Sequence, residues 1–178
     1  MSRLFPFLLL LPLLLSCQSG DDQAAMQAAD EAAIKGFVVS LNAGLREAYV
    51  GAPINIDSLF AVSFDSGAYY ITPWGTSEPV DSTRERLKRV IPLINNYEVG
   101  MENLTARSFG NAGYAWFILR QRYTVNGNPL DEYLPTTYVL RRTDDGWRIV
   151  HLQRSTDMQT FQQYVDLQKR MAAGRRSK

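Results

Sequence analysis

Hydrophobic residues change their spacing along this chain near residue 97. Between residues 24 and 96, apolar side chains recur every three or four positions, the spacing that places them on one face of a helix. From Tyr97 to Ser155 the spacing falls to two, as in strands that bury one face. A helical spacing returns after Asp157. The pattern predicts helices first, then a run of strands, then a closing helix.

Three helices are predicted in the first part of the chain. The first begins at Ala24, and its apolar stripe consists of Ala33, Phe37, Leu41 and Leu45, with Met26, Ile34 and Val38 beside them. Asp57 is predicted to cap a short second helix. Ser82 and Glu85 have the spacing of a capping box for a third helix, which Pro92 should kink. One brief strand, over residues 68–71, is predicted between the second and third helices.

Longer strands are predicted over residues 97–107, 114–125, 133–142 and 147–155. Short Gly- and Asn-rich turns separate them, such as Asn126-Gly127 and Asp145-Gly146. The predicted fold class is therefore α+β: a cone-shaped, strongly curved antiparallel sheet packed against N-terminal helices, with a C-terminal helix. The domain would span residues 24–156, and residues 157–178 would form the C-terminal helix and a basic tail.

Residues 1–16 have the layout of an export signal. Arg3 supplies a positive start, residues 4–15 are apolar apart from two prolines, and Ser16 is a small residue directly before Cys17. The apolar run is shorter than the ~20 residues that a helix needs to cross a bilayer. The segment around Cys17 resembles the bacterial lipobox, in which the thiol is acylated with fatty acids such as palmitate. We expect removal of residues 1–16, a lipid on Cys17, and a tether over residues 17–23.

The residue after Cys17 bears on the destination of the protein. In enteric bacteria an Asp at that place retains lipoproteins at the inner membrane, whereas this chain has Gln18. If that rule applies, the periplasmic face of the outer membrane is favoured. The expected location is therefore the bacterial cell envelope, with the membrane bound through the lipid on Cys17.

Composition excludes several classes of function. The chain has 19 Lys and Arg against 18 Asp and Glu, and loss of Arg3 leaves 18 (19 − 1) against 18. This balance gives no general attraction to nucleic acid. The single histidine, His151, and the single cysteine, Cys17, cannot supply a zinc site. The sequence also contains neither a phosphate-binding loop nor a serine-nucleophile motif. We expect no metal and no cofactor.

Aromatic residues at strand positions predict either a packed core or the walls of a ligand pocket. His151 is the best candidate for a catalytic base, because imidazole changes its charge near neutral pH. It is expected to share one face of the closing strand with Trp147 and Ile149. The candidate pocket residues are Trp74, Tyr97, Trp116, Tyr138, His151 and Gln153.

Carboxylate bases are harder to place than phenol or indole donors. The segments 114–125, 138–142 and 147–155 contain no Asp or Glu. A carboxylate could come only from helix caps, turns or the first long strand, where each has a structural role as an alternative. These residues are Asp57, Asp65, Glu98, Glu102, Asp131 and Glu132.

The order of elements, the Asp57–Phe60 segment and the closing run Gly146–His151 resemble the nuclear transport factor 2-like superfamily, and within it the SnoaL-like branch. The resemblance covers residues 24–155. It implies a cone with an internal pocket and, in many members, a homodimer formed through the outer face of the sheet. Members include isomerases, cyclases, dehydratases and non-enzymatic binding modules. Many members carry two histidines and then a serine on the closing strand, where this chain has His151, Gln153 and Ser155.

Two classes of function remain open at this point. The first is non-catalytic binding of a small organic molecule or a partner protein by a membrane-anchored domain. The alternative is a SnoaL-like isomerase or lyase that acts on a carbonyl compound by general acid–base catalysis. The lack of a carboxylate on the last strands favours binding. A deep pocket that holds a buried acid beside a tyrosine would favour the enzyme.

Overall fold

The computed structural model describes residues 20–176, with side chains up to residue 170, and Cys17 lies outside this range. The helices are α1 (Gly20–Tyr49), α2 (Ile56–Ser63), α3 (Val80–Val90) and α4 (Met158–Arg176). The strands are β1 (Phe64–Ile71), β2 (Ser77–Pro79), β3 (Ile94–Phe109), β4 (Ala112–Val125), β5 (Asn128–Thr143) and β6 (Gly146–Arg154). None of the helices in the described range is both long and apolar enough to cross a membrane.

The strands form one sheet in the order β2-β1-β6-β5-β4-β3. Strands β3 to β6 pair as successive antiparallel hairpins, and β1 joins the far side of β6 in parallel. The β4–β5 turn has positive φ at both Asn126 (50°) and Gly127 (75°), the combination that a tight two-residue hairpin requires. The predicted α+β fold class is confirmed.

Irregular pairing bends the sheet around α1. The register of β3 against β4 shifts at two places, between Asn95 and Glu98 and between Glu102 and Thr105. Within these intervals Asn96 and Asn103 adopt positive φ values of 55° and 58°. Bulges of this kind increase local twist and curve a strand. The concave face that results receives one side of α1.

The core lies between α1 and this concave face. Ile34, Val38 and Leu41 of α1 are at most 2% exposed. They pack in one cluster with buried residues of the inner sheet face, among them Ala115, Phe117, Leu119, Tyr138, Leu140, Trp147 and Ile149. A Cβ at Gly113 would lie 2.6 Å from Ile34 Cδ1, so the helix approaches the sheet at a residue without a side chain.

The helix ends differ from the sequence predictions. Asn55, not Asp57, caps α2, and its side chain accepts a hydrogen bond from the Ser58 amide at 2.9 Å. The predicted capping box is wrong, since α3 begins at Val80 directly after β2 and has no side-chain cap. The helix ends before Pro92, which lies in a 3-10 turn, because proline cannot donate the next helical hydrogen bond.

The strands extend beyond the predicted bounds. Strand β1 starts at Phe64 instead of residue 68, β3 at Ile94, and β5 at Asn128 instead of residue 133. The short strand β2 was not predicted at all, and it lies at the edge of the sheet against β1. Helix α1 begins at Gly20, four residues before Ala24. These extensions matter because the earlier start of β5 places an acidic residue inside the sheet.

Candidate functional site

A bulge in β6 decides which of its residues face the inside. Val139 of β5 pairs with His151 of β6, and the next residue of β5, Leu140, pairs with Ile149. Val150 therefore has no pairing partner on β5. Trp147 and Ile149 are buried before the bulge, and Leu152 is buried after it. Because alternation restarts at the bulge, Leu152 and Arg154 face inward. His151 and Gln153 therefore lie on the opposite face from Trp147 and Ile149, contrary to the sequence prediction.

A partly enclosed cavity of about 520 Å³ lies at the end of the cone away from the β3–β4 turn. Its walls come from α1, α3, the inner sheet face and α4. Six tyrosines line it: Tyr49, Tyr70, Tyr97, Tyr123, Tyr138 and Tyr164. A wider groove of about 760 Å³ runs outside, along the β4–β5 turn and α4, but it opens broadly to solvent. We place the candidate site in the partly enclosed cavity, where buried polar groups converge.

Aromatic contacts hold the end of the cavity closed. Tyr49 of α1 stacks on Tyr97 of β3 with ring centroids 4.4 Å apart. Trp74, in the loop between β1 and β2, meets the ring of Tyr164 from α4 edge-on at 4.5 Å. It also contacts Phe161 at 6.0 Å. Helix α4 and the Trp74 loop thus form one cover over the cavity.

Glu132 is a buried acid inside this cavity. Its side chain is 6% exposed, and it accepts hydrogen bonds from the hydroxyls of Tyr123, at 2.9 Å, and Tyr164. The two hydroxyls lie 3.0 Å from each other. Burial raises the pKa of Glu132, and the two phenols and Arg154 oppose that rise. The network connects β4, β5 and α4, so it also fastens the cover to the sheet.

Arg154, at the end of β6, is the second charged group of the cavity. Its Nε atom is buried and has no hydrogen-bond partner. Among the described residues no carboxylate lies within the 4.0 Å of an ion pair with this guanidinium. Arg86 provides a contrast, since it lines the same cavity and pairs with Glu78. Arginine stays charged in proteins, so Arg154 brings an unpaired positive charge into the cavity.

The predicted pocket residues separate into two groups. Trp74, Tyr97 and Tyr138 line the cavity, whereas Trp116, His151 and Gln153 do not. Trp116 is 37% exposed and alternates on β4 with the buried Ala115 and Phe117, which places it on the outer face of the sheet. His151 and Gln153 are displaced by the bulge. The cavity therefore contains no imidazole.

The sequence pattern does not predict the cavity residues Tyr49, Arg154 and Tyr164, and it identifies Glu132 only among carboxylates that also have a structural explanation. A signal for Glu132 was available: it stands at even spacing with Leu130, Leu134 and Tyr138, all buried on β5. No comparable signal existed for Arg154, because its inward position depends on the bulge. The described residues also contain no group of three potential metal ligands.

Comparison with known proteins places this geometry in a family. Solved structures with the same fold include an NTF2-like protein from Cytophaga hutchinsonii (13% identity, TM-score 0.58, covering 70% of this chain and 95% of that one). Others are a ketosteroid isomerase-like protein from Erwinia carotovora atroseptica (12%, 0.57, 71% and 95%) and the CaMKII hub of S. rosetta (12%, 0.57, 71% and 96%). No curated protein matches the chain. The SnoaL-like domain model matches residues 38–159, more than half of the sequence, and the chain therefore belongs to the SnoaL-like domain family of NTF2-like folds.

Proposed function

We propose that this protein is a lipid-anchored protein of the bacterial envelope whose SnoaL-like domain binds a small organic molecule without converting it. The observation that carries the binding role is the partly enclosed cavity of about 520 Å³, walled by tyrosines and left open by its own side chains. Cavities of about 300–1,000 Å³ with apolar walls and a few polar groups are typical ligand sites. A cavity kept only for structure would be filled by its own aromatic rings.

Native mass spectrometry tests the binding role. The protein is purified from its own host in mild detergent, and we expect a small molecule to leave only on unfolding. Val99 lines the cavity, so Val99→Trp should fill it and remove that molecule. Val62 is 63% exposed on α2, so Val62→Trp adds the same ring outside and should retain it.

Two results would contradict binding in the cavity. One is a molecule that is retained equally by both variants, which would place it elsewhere on the protein. The other is a wild-type protein that releases nothing and binds no member of a broad set of organic acids, alcohols and ketones. In either case the cavity would need a different explanation, such as a role in folding.

The anchor requires a separate experiment. Cys17 directly follows the apolar run and is the only thiol in the chain. Cys17→Ala should abolish fatty-acylation and leave the signal segment uncleaved, while Ser19→Ala serves as a neighbouring control. Metabolic labelling with a fatty-acid analogue, read after electrophoresis, measures the result. Equal labelling of wild type and Cys17→Ala would end the lipoprotein proposal.

A second candidate function is isomerase or lyase chemistry on a carbonyl compound, and Glu132 favours it. A carboxyl group whose pKa is raised by burial, beside two phenols, is a usable acid or base. We rank this function second because both phenols already donate to Glu132, which leaves their protons turned away from a ligand. Turnover of a carbonyl substrate that falls about 10²-fold or more in Glu132→Gln, with affinity kept, would reverse the ranking.

We also propose that two copies associate through the outer face of the sheet. That face exposes several large side chains, namely Tyr114, Trp116 and Val139, each between 37% and 38% exposed. Exposed apolar groups that cluster on one face indicate an interaction surface. A concentration-independent monomer in sedimentation velocity would contradict this assembly.

A further inference from the structure

Arg154 is half-buried, and the Nε atom of its guanidinium is buried without a hydrogen-bond partner. A buried charge without a counter-charge destabilises a folded protein, and natural proteins usually pair it. Here Glu132, the acid that lines the cavity, accepts hydrogen bonds from Tyr123 and Tyr164 instead. The other cavity arginine, Arg86, has Glu78. The protein therefore keeps at Arg154 a charge that no described residue neutralises through direct contact.

The charges around the cavity limit the charge of the anion that would complete the site. Arg86 pairs with Glu78, and Glu132 accepts hydrogen bonds from the hydroxyls of Tyr123 and Tyr164 and forms no ion pair with Arg154. Arg154 then leaves one positive charge. One positive charge matches a monoanion, whereas a phosphate monoester carries nearly two negative charges and would need a second cation. The planar guanidinium also suits the two oxygens of a carboxylate.

The side chains that line the rest of the cavity indicate the shape and polarity of the remainder of the ligand. Phe60, Leu134 and Leu152 line the cavity together with the tyrosine rings. Most of the lining surface is apolar or aromatic, while the phenol hydroxyls and the amides of Asn42, Gln121 and Gln168 supply scattered polar points. A body that fits them is hydrophobic and flat or chain-like. It would lie on the tyrosine rings with its acidic end at the last residue of β6.

We infer that the cavity binds an amphipathic monocarboxylic acid, whose carboxylate pairs with Arg154 while its apolar body lies against the tyrosines. This inference rests on the proposed binding function and names the chemical class of the ligand. It assigns to Arg154 a recognition role that a structural residue would not have. The unpaired Nε of Arg154 in a partly enclosed cavity is the observation from which it follows.

The test compares acids with their neutral amides. The probes are phenylbutyrate, naphthaleneacetate and decanoate, each measured by calorimetry beside the corresponding primary amide. We expect at least one acid to bind the wild-type protein, and its amide to bind about 10–100-fold more weakly, the effect of a charge-assisted hydrogen-bonded pair. Arg154→Met should lower the affinity for the acid by a similar factor and change the affinity for the amide by less than about threefold. Arg154→Lys, which keeps the charge without the fork, should fall between them.

Matched controls separate recognition from misfolding. Arg120 is 54% exposed in its side chain and pairs with Glu102 on the outer face, so Arg120→Met makes the same change outside the cavity. It should leave acid affinity unchanged. Arg154→Met should unfold at the same or a higher temperature than wild type, because it removes a partly buried charge that has no ion-pair partner. Weaker acid binding with undiminished thermal stability is a result that a merely structural arginine would not give.

The outcomes distinguish this inference from the binding function. Acids and amides that bind equally, with no effect of Arg154→Met, would overturn the carboxylate inference and leave the cavity as a binding site. A natural ligand from the mass spectrometry that lacks an acidic group would do the same. If no acid or amide binds and no molecule is retained from the host, the binding function fails and the inference fails with it.

Discussion

Trp147→Ala is expected to lower the free energy of unfolding by about 3–5 kcal/mol, a large part of the stability of most single domains. Trp147 is 7% exposed and belongs to the central cluster with Ile149 and Leu140. Arg142 also lies over its ring, 4.9 Å from the centroid. Truncation therefore removes both buried apolar area and a cation–π contact, and it leaves a void that the adjoining hairpin can close only in part.

Urea unfolding followed by circular dichroism measures the effect. Trp116→Ala makes the same substitution at a position that is 37% exposed on the outer face, and it should cost well under half as much. Measurements below the concentration at which copies associate keep the two variants comparable. A Trp147→Ala protein whose free energy of unfolding lies within about 0.5 kcal/mol of the wild-type value would mean that β6 does not lie where the structure places it.

Glu132→Gln is expected to remove a fall in stability that wild type shows as the pH rises. Burial raises the pKa of Glu132 in the folded protein above its unfolded value. The folded state then holds a proton that the unfolded state has released, so stability is highest below the unfolded pKa and declines as the pH rises through the folded pKa. The decline amounts to about 1.4 kcal/mol for each pH unit of the shift. Glutamine keeps the acceptor oxygen and cannot titrate.

Thermal or urea unfolding between about pH 4 and pH 8 gives the two profiles, and their difference isolates Glu132 because the other titrating groups are shared. Tyr164→Phe provides a variant that should change the pH dependence of stability in the opposite direction. The Tyr164 hydroxyl lowers the pKa of Glu132 by donating to it, so its removal should extend the decline to higher pH. Parallel profiles for wild type and Glu132→Gln would show that this carboxyl is not buried in the cavity.

The fold was largely predictable because its signals are local. Apolar spacing along α1 and alternation along β4 and β6 reflect burial against a single core, and the Asn126-Gly127 turn has few alternatives. Element ends were less predictable. Asn55 and Asp57 are both competent caps, and the choice between them depends on how α1 leads into α2. Strand β2 is too short to show an apolar pattern, and it forms because its backbone pairs with the free edge of β1.

The candidate site was only half predictable, for a physical reason. Tyr97 and Tyr138 follow the alternation of their strands, and Trp74 follows a strand end, so all three were identified as pocket residues. Arg154 faces the cavity and His151 faces outward because one residue of β6 is unpaired. The alternation of the sequence cannot reveal such a residue. The apolar pattern starts β5 after Glu132, which would leave this residue in a turn. Tyr164 reaches the cavity from α4, whose docking depends on tertiary contacts alone.

The bulge at Val150 also changes how this cavity should be aligned and redesigned. Counting positions along the closing strand from Trp147 would match His151 and Gln153 to cavity residues of a relative whose strand runs without a bulge. The residues that occupy the equivalent space here are Leu152 and Arg154. A library intended to alter ligand preference should therefore vary these two positions. One that varies His151 and Gln153 would sample the exterior of the sheet and leave the interior chemistry as it is.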